Sequence, residues 1–145
     1  MGDLADVDPV AITRAWLLTR PQVTSRLGSP TQVGAYNQPP YPCVRLTDPP
    51  GDDRTLQHLI APLVQIEVYG DIDGTPGKPA LRALLYRVLK EMKELPEQPT
   101  TPGDPVVTSI GSSGGGGWSP EPTGQPRYIA TVRMHVHPPV DATQG

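Results

Sequence analysis

The chain has 145 residues, a length that suits one domain better than two. Twelve Lys and Arg stand against fifteen Asp and Glu, for a formal net charge of −3. A protein that lives on nucleic acid usually carries a clustered basic face and a high pI, and this chain has neither.

Its 20 prolines and 15 glycines approach the level at which disorder becomes the default reading. They gather in three stretches, however, and leave the apolar segments nearly clean, which predicts a compact core with long Pro/Gly loops. With no Phe, two Trp and five Tyr, the core must be largely aliphatic. Cys43 is the single cysteine and can form no internal disulfide, which suits a reducing compartment. The longest early apolar run, Ala15 to Leu18, is too short for a signal peptide or a membrane span. A soluble protein of the cytoplasm is expected.

In chain order, a helix is predicted over residues 6–20. Asp8 is a natural N-cap and Pro9 suits the first helical position, where its missing N–H is no loss. The 3.6-residue spacing puts Ala11, Ile12, Ala15, Trp16, Leu18 and Thr19 on one side, with Thr13 and Arg14 opposite. Val10 and Leu17 fall off that stripe. Pro21 sets the stop, and 21–29 adds a short helical turn. Residues 28–42 read as extended and irregular.

A short strand follows at 43–47, with Val44 and Leu46 on one face and Cys43, Arg45 and Thr47 on the other. The Asp48–Arg54 stretch is a polar loop, since Pro49 and Pro50 donate no ladder bonds. Residues 60–70 carry the plainest strand signal: Val64, Ile66 and Val68 alternate with Gln65, Glu67 and Tyr69, as in a half-buried strand. Over 79–95 a helix is predicted, with Leu81, Leu84, Leu85, Val88, Met92 and Leu95 as a continuous apolar stripe. Arg82, Arg87, Lys90, Glu91, Lys93 and Glu94 cover its wet side, and prolines 79 and 96 bracket it. Strands are then expected at 106–110 and 127–137, the latter burying Tyr128, Ala130, Val132, Met134 and Val136. Residues 138–145 form a frayed tail.

The order helix, strand, strand, helix, strand, strand predicts one α+β domain with its core at about 8–137. One sheet of about four strands, mostly antiparallel or mixed, would carry both helices on its single apolar face.

Few residues carry chemistry. His135 and His137 share a strand face and could bind one metal with a third ligand from His58 or Asp71, which would make a small metal-dependent enzyme; two exposed histidines on a wet face are the ordinary explanation. The run Gly114–Gly117 lacks the Lys and Ser/Thr of a phosphate-binding loop, and Trp118 follows it as an anchor or a partner contact. Asp71 and Asp73, like Asp52 and Asp53, are ordinary turn residues. Cys43 reads as a buried, inert thiol. The QPPYP segment at 38–42 offers no more than a generic proline-rich match. No catalytic set, cofactor or metal site is predicted.

Several stretches do resemble one family. An AWLL helix leads into PQVTSRLG; YPCVRL precedes the strand PLVQIEVYG; the helix PALRALLYRVLKEM follows; and PRYIATVRMHV closes the series. This succession, over residues 10–137, resembles the tail terminator (tail-completion) proteins of long-tailed bacteriophages, with longer Pro/Gly insertions at 96–105 and 111–126. The resemblance implies a structural virion protein rather than an enzyme. It implies a hexameric ring of identical subunits that caps the tail tube, stops its growth and presents a surface to the head connector, assembled in the host cytoplasm and kept at the head-proximal end of the tail. Its partners would be further copies of itself, the tube protein and the connector or stopper, with no membrane and no specific nucleic acid. Another head–tail joining or minor tail protein is the alternative. Candidate interface residues are Asp52, Asp53, Arg54, Gln65, Glu67, Tyr69, Gly115 and Trp118, drawn from the loops 48–58 and 111–126 and from the polar face of the 60–70 strand. Val10 and Leu17 join them as apolar residues off the first helix's stripe.

Overall fold

The computed structural model describes residues 8–48, 61–97, 106–112 and 117–137. Helix α1 runs Pro9–Leu18, with Asp8 accepting the Ala11 N–H at 3.0 Å as its N-cap. A one-turn helix α2, Pro21–Thr24, and a 3-10 turn, Pro30–Gln32, follow. Strands β1 (Val33–Gly34), β2 (Cys43–Thr47) and β3 (Leu63–Tyr69) precede helix α3 (Lys78–Met92). After a second 3-10 turn, Leu95–Glu97, come β4 (Val106–Ser112), β5 (Gly117–Trp118) and β6 (Arg127–His137).

All strands join one six-stranded sheet in the order β1-β2-β3-β6-β4, with β5 also beside β6. Among the described residues only the β1–β2 pair is parallel. The chain is thus α+β with one mixed sheet. Among the described residues six strands stand where about four were expected, because β1 and β5 are two residues long and carry no readable period. The described residues hold three helices rather than two, since the turn expected after Pro21 is helix α2.

Register builds the core directly. Val44, Val68 and Tyr128 lie across from one another, as do Leu46, Ile66 and Ala130, and Val64 pairs with Val132. That row faces Leu81, Leu84, Leu85, Val88 and Met92 of α3 and Leu17 and Val23 of α1 and α2, all buried in one cluster. Each fully buried aliphatic side chain contributes about 1.5–3 kcal/mol. At the β3 end the approach is close: a Cβ on Gly70 would lie 3.1 Å from Leu81 Cδ1.

Two helix faces differ from expectation. In α1 the buried residues are Pro9, Thr13, Trp16 and Leu17, while Ala11 and Ala15 are exposed, so the inward face is rotated away from the predicted stripe. Thr13 tolerates burial because its hydroxyl donates to the Pro9 carbonyl at 2.8 Å and so spends its polarity within the helix. Leu17, expected off the stripe, is core. In α3 the apolar stripe is as predicted through Met92, with Leu95 half-buried in the 3-10 turn beyond the helix, but Glu91 is buried rather than wet. Its carboxylate meets Arg20 Nε at 2.8 Å, and its carbonyl accepts from Trp16 Nε1 at 2.7 Å. That pairing ties α3 to the end of α1.

Candidate functional site

Two surfaces gather side chains beyond the needs of the core. The first is the sheet face turned away from the helices, where alternation puts Cys43, Arg45, Gln65, Glu67 and Tyr69. Gln65, Glu67 and Tyr69 were expected to be exposed on it. At the end of β3, Glu67 is instead only 2 % exposed and Tyr69 is fully buried, and Gln65 is half-buried. Polar loops account for the difference. Residues 119–126 are pinned by Gly70 N–H to the Pro126 carbonyl at 3.1 Å and by Gln125 Nε2 to the Gly70 carbonyl at 2.9 Å. Asn37 Nδ2 donates to Gln125 Oε1 at 2.7 Å, which brings the 35–42 segment to the same place.

Between strands and loops lies a charged network. The Tyr69 hydroxyl sits 2.5 Å from Glu67 Oε2 and 2.9 Å from Glu121 Oε1. Gln65 Nε2 donates to Glu67 Oε1 at 2.5 Å, and Arg45 lies 3.3 Å from Oε2. Arg127 donates to Glu121 at 2.9 Å and to the Ser119 carbonyl at 2.7 Å. Burial, and next the Glu67 carboxylate, push the Tyr69 phenol up to about 12. Each carboxylate has a guanidinium, and the single Tyr69 proton goes to one of them at a time, so the network is satisfied within one chain and latches loop to sheet.

The second surface is a groove of about 380 Å³ between α3 and the outer flank of the sheet. Leu85, Leu89, Ile110, Ala130 and Val132 supply an apolar floor, and Lys90 and Lys93 stand on the α3 side. Along this flank β4 pairs with β6 as far as Ser112↔Val132, and β5 pairs with it from Gly117↔Ile129. A bulge between Val107 and Ser109 also bends β4. Two large aromatics on this side are exposed, Tyr86 of the groove lining at 54 % and Trp118, outside that lining, at 41 %. Trp118 is held edge-on against Tyr128, with centroids 5.3 Å apart, and Lys78 Nζ lies 4.5 Å from its ring centre.

No family model and no curated protein matches this chain. Function must therefore be argued from these surfaces and from the succession of sequence segments.

The remaining candidates are dispersed. Asp52, Asp53, Arg54, His58 and Gly115 lie outside the described residues, as do 113–116 and 138–145. His135 is exposed, with Nδ1 2.9 Å from Ser109 Oγ. Asp71 follows the opposite end of β3, level with Arg127, and is separated from His135 by roughly 26 Å of β6, so it cannot complete a shared metal site. Among the described residues, no three His, Cys, Asp or Glu side chains gather to hold an ion, and no helix is long and apolar enough to cross a membrane. Cys43 is buried as expected, and burial pushes its thiol up from the ordinary value.

The sequence alone assigns no role to Glu121, Arg127 or Tyr86, and it places Lys90 and Lys93 no further than the wet side of their helix. Glu121 had no signal, because a Pro/Gly loop has no period. Lys90 and Lys93 did have one: they stand three apart on the same side of α3, beside Leu89 and Tyr86.

Proposed function

We propose that this protein is a structural subunit of a phage tail, a ring-forming terminator that caps the tube, halts its polymerisation and offers a joining surface to the head. One observation carries the reading beyond the resemblance. The α+β frame opens an apolar groove on its outer flank, lined by exposed Tyr86 and by Tyr128, against which exposed Trp118 is packed. Exposed apolar patches rimmed by polar residues mark interaction sites. A subunit of a closed ring needs such a surface, because each copy contacts two neighbours through unlike patches. Trp118 keeps its interface assignment in this reading, as does the half-buried Gln65. Glu67 and Tyr69 serve instead as internal supports of the loop beside them.

The test is electron microscopy of lysate from a phage in which this gene is interrupted. Filled heads beside free, overlong tails are the expected result. Tails of normal length that fail to join would move the protein to the head side, as a stopper or connector. Normal joined particles would refute both.

A further inference from the structure

Opposite in character to the groove is a small projection at the other end of α3. Asp71, Ile72 and Asp73 form a tight turn between β3 and α3, and Ile72 is 61 % exposed at its tip. The turn is built in advance. Asp71 N–H donates to the Thr75 carbonyl at 2.8 Å, and Gly74 N–H donates to the Asp71 carbonyl at 2.9 Å. Gly74 supplies the required φ of +88°. Asp73 Oδ1 accepts from the Thr75 hydroxyl at 2.6 Å and from its N–H at 2.9 Å, which holds the carboxyl below the usual range and fixes its direction. An aliphatic tip between two carboxylates is the chemical complement of an apolar groove with two ammonium groups on its wall. Among the described residues, neither Asp71 and Asp73 nor Lys90 and Lys93 form an ion pair.

We infer that the Asp71–Ile72–Asp73 turn of one copy docks in the Leu85/Leu89/Ile110 groove of the next, with its carboxylates against Lys90 and Lys93. This deepens the ring reading and rests on it. A copy cannot fill its own groove with this turn, because the turn precedes Lys78 while Lys90 and Lys93 lie roughly 18–22 Å further along α3. Turn and groove are therefore different patches at opposite ends of one helix. Repeated head to tail, such a contact either closes into a ring or extends as a filament. Because the turn is ordered before it binds, little conformational entropy is lost on docking. The charges set register and exclude wrong neighbours more than they add affinity.

The experiment is sedimentation velocity of the full chain and two charge-reversed forms, Asp71→Lys/Asp73→Lys and Lys90→Glu/Lys93→Glu. All four positions are at the surface, and a thermal melt of each form checks folding; Ile72→Ser, which keeps both carboxylates, replaces the first form if that one does not fold. Each reversed form should self-associate at least ~10-fold more weakly than the parent, since like charges then face each other. An equimolar mixture of the two should reassemble, because the reversed turn meets the reversed groove and the native turn meets the native groove. Undiminished assembly of either form overturns the docking, as does a mixture that stays dissociated, or a parent protein that is monomeric at every concentration. If the mixture recovers but the interrupted gene yields normal phage, the docking stands and the tail reading falls. If tails are overlong but the charge rule fails, the reverse holds.

Discussion

Replacing Tyr69 with Phe removes one hydroxyl and almost no volume, so it isolates the latch on the far sheet face. In the parent, that hydroxyl lies 2.5 Å from Glu67 and 2.9 Å from Glu121. Hydrogen bonds to charged groups contribute about 1.5–3 kcal/mol each. Glu67 retains Gln65 and Arg45, and Glu121 retains Arg127, so the loss should sit low in that range, about 2 kcal/mol in all. For a chain of this size, that lowers the melting temperature by roughly 8 °C.

A second signature separates this effect from simple loosening. Tyr69 has a folded pKa of about 12, against roughly 10 in an unfolded chain. The folded value is the higher, so the stabilisation is complete below the unfolded pKa and is lost as pH climbs from 10 towards 12. Two pKa units correspond to about 2–3 kcal/mol. Urea unfolding of both proteins from neutral to strongly alkaline pH measures the difference directly. The gap of about 2 kcal/mol should close as pH rises through that window. A gap below ~0.5 kcal/mol at neutral pH, or one that stays constant into alkali, would refute the latch.

Two further outcomes are expected. Arg20→Met leaves the Glu91 carboxylate, whose side chain is 7 % exposed, without its cation, and should cost about 2–3 kcal/mol in urea unfolding; Arg20→Met with Glu91→Met should recover most of that, and a double variant weaker than the single one would contradict the assignment. Cys43, buried and with its thiol raised by burial, should react with a thiol reagent at neutral pH only as fast as the chain unfolds; rapid stoichiometric labelling of the native protein would place it at an open surface.

Where a segment was long and strictly periodic, the sequence sufficed. β6 spans Arg127–His137 as predicted, and its inward residues are the predicted ones, because eleven alternating residues leave no second register. The α3 stripe was legible for the same reason. Two-residue strands offered no period to detect, and Thr13 misled because its hydroxyl bonds inside its own helix. Glu67 and Tyr69 illustrate a more general limit. Alternation tells which face of a strand a residue occupies, but not whether a polar loop will later lie on that face and bury it through hydrogen bonds. The groove was hidden for a related reason, since Lys90 and Lys93 count as solvated until Ile110, Ala130 and Val132 of the sheet are set beside them.

The place of β6 between β3 and β4 bears on how the chain comes into being. A ribosome delivers β3 long before β6, at about 5–20 residues per second. Until β6 arrives, β3 has only β2 beside it and keeps one open edge, and α3 has only part of its seat. The ladders that close the sheet are therefore formed late and between distant parts of the chain, the arrangement that slows folding and leaves strand edges open to wrong partners. Neighbouring nascent chains on the same message are among those partners, so the arrival of the last strand sets the moment at which the open edge of β3 is covered.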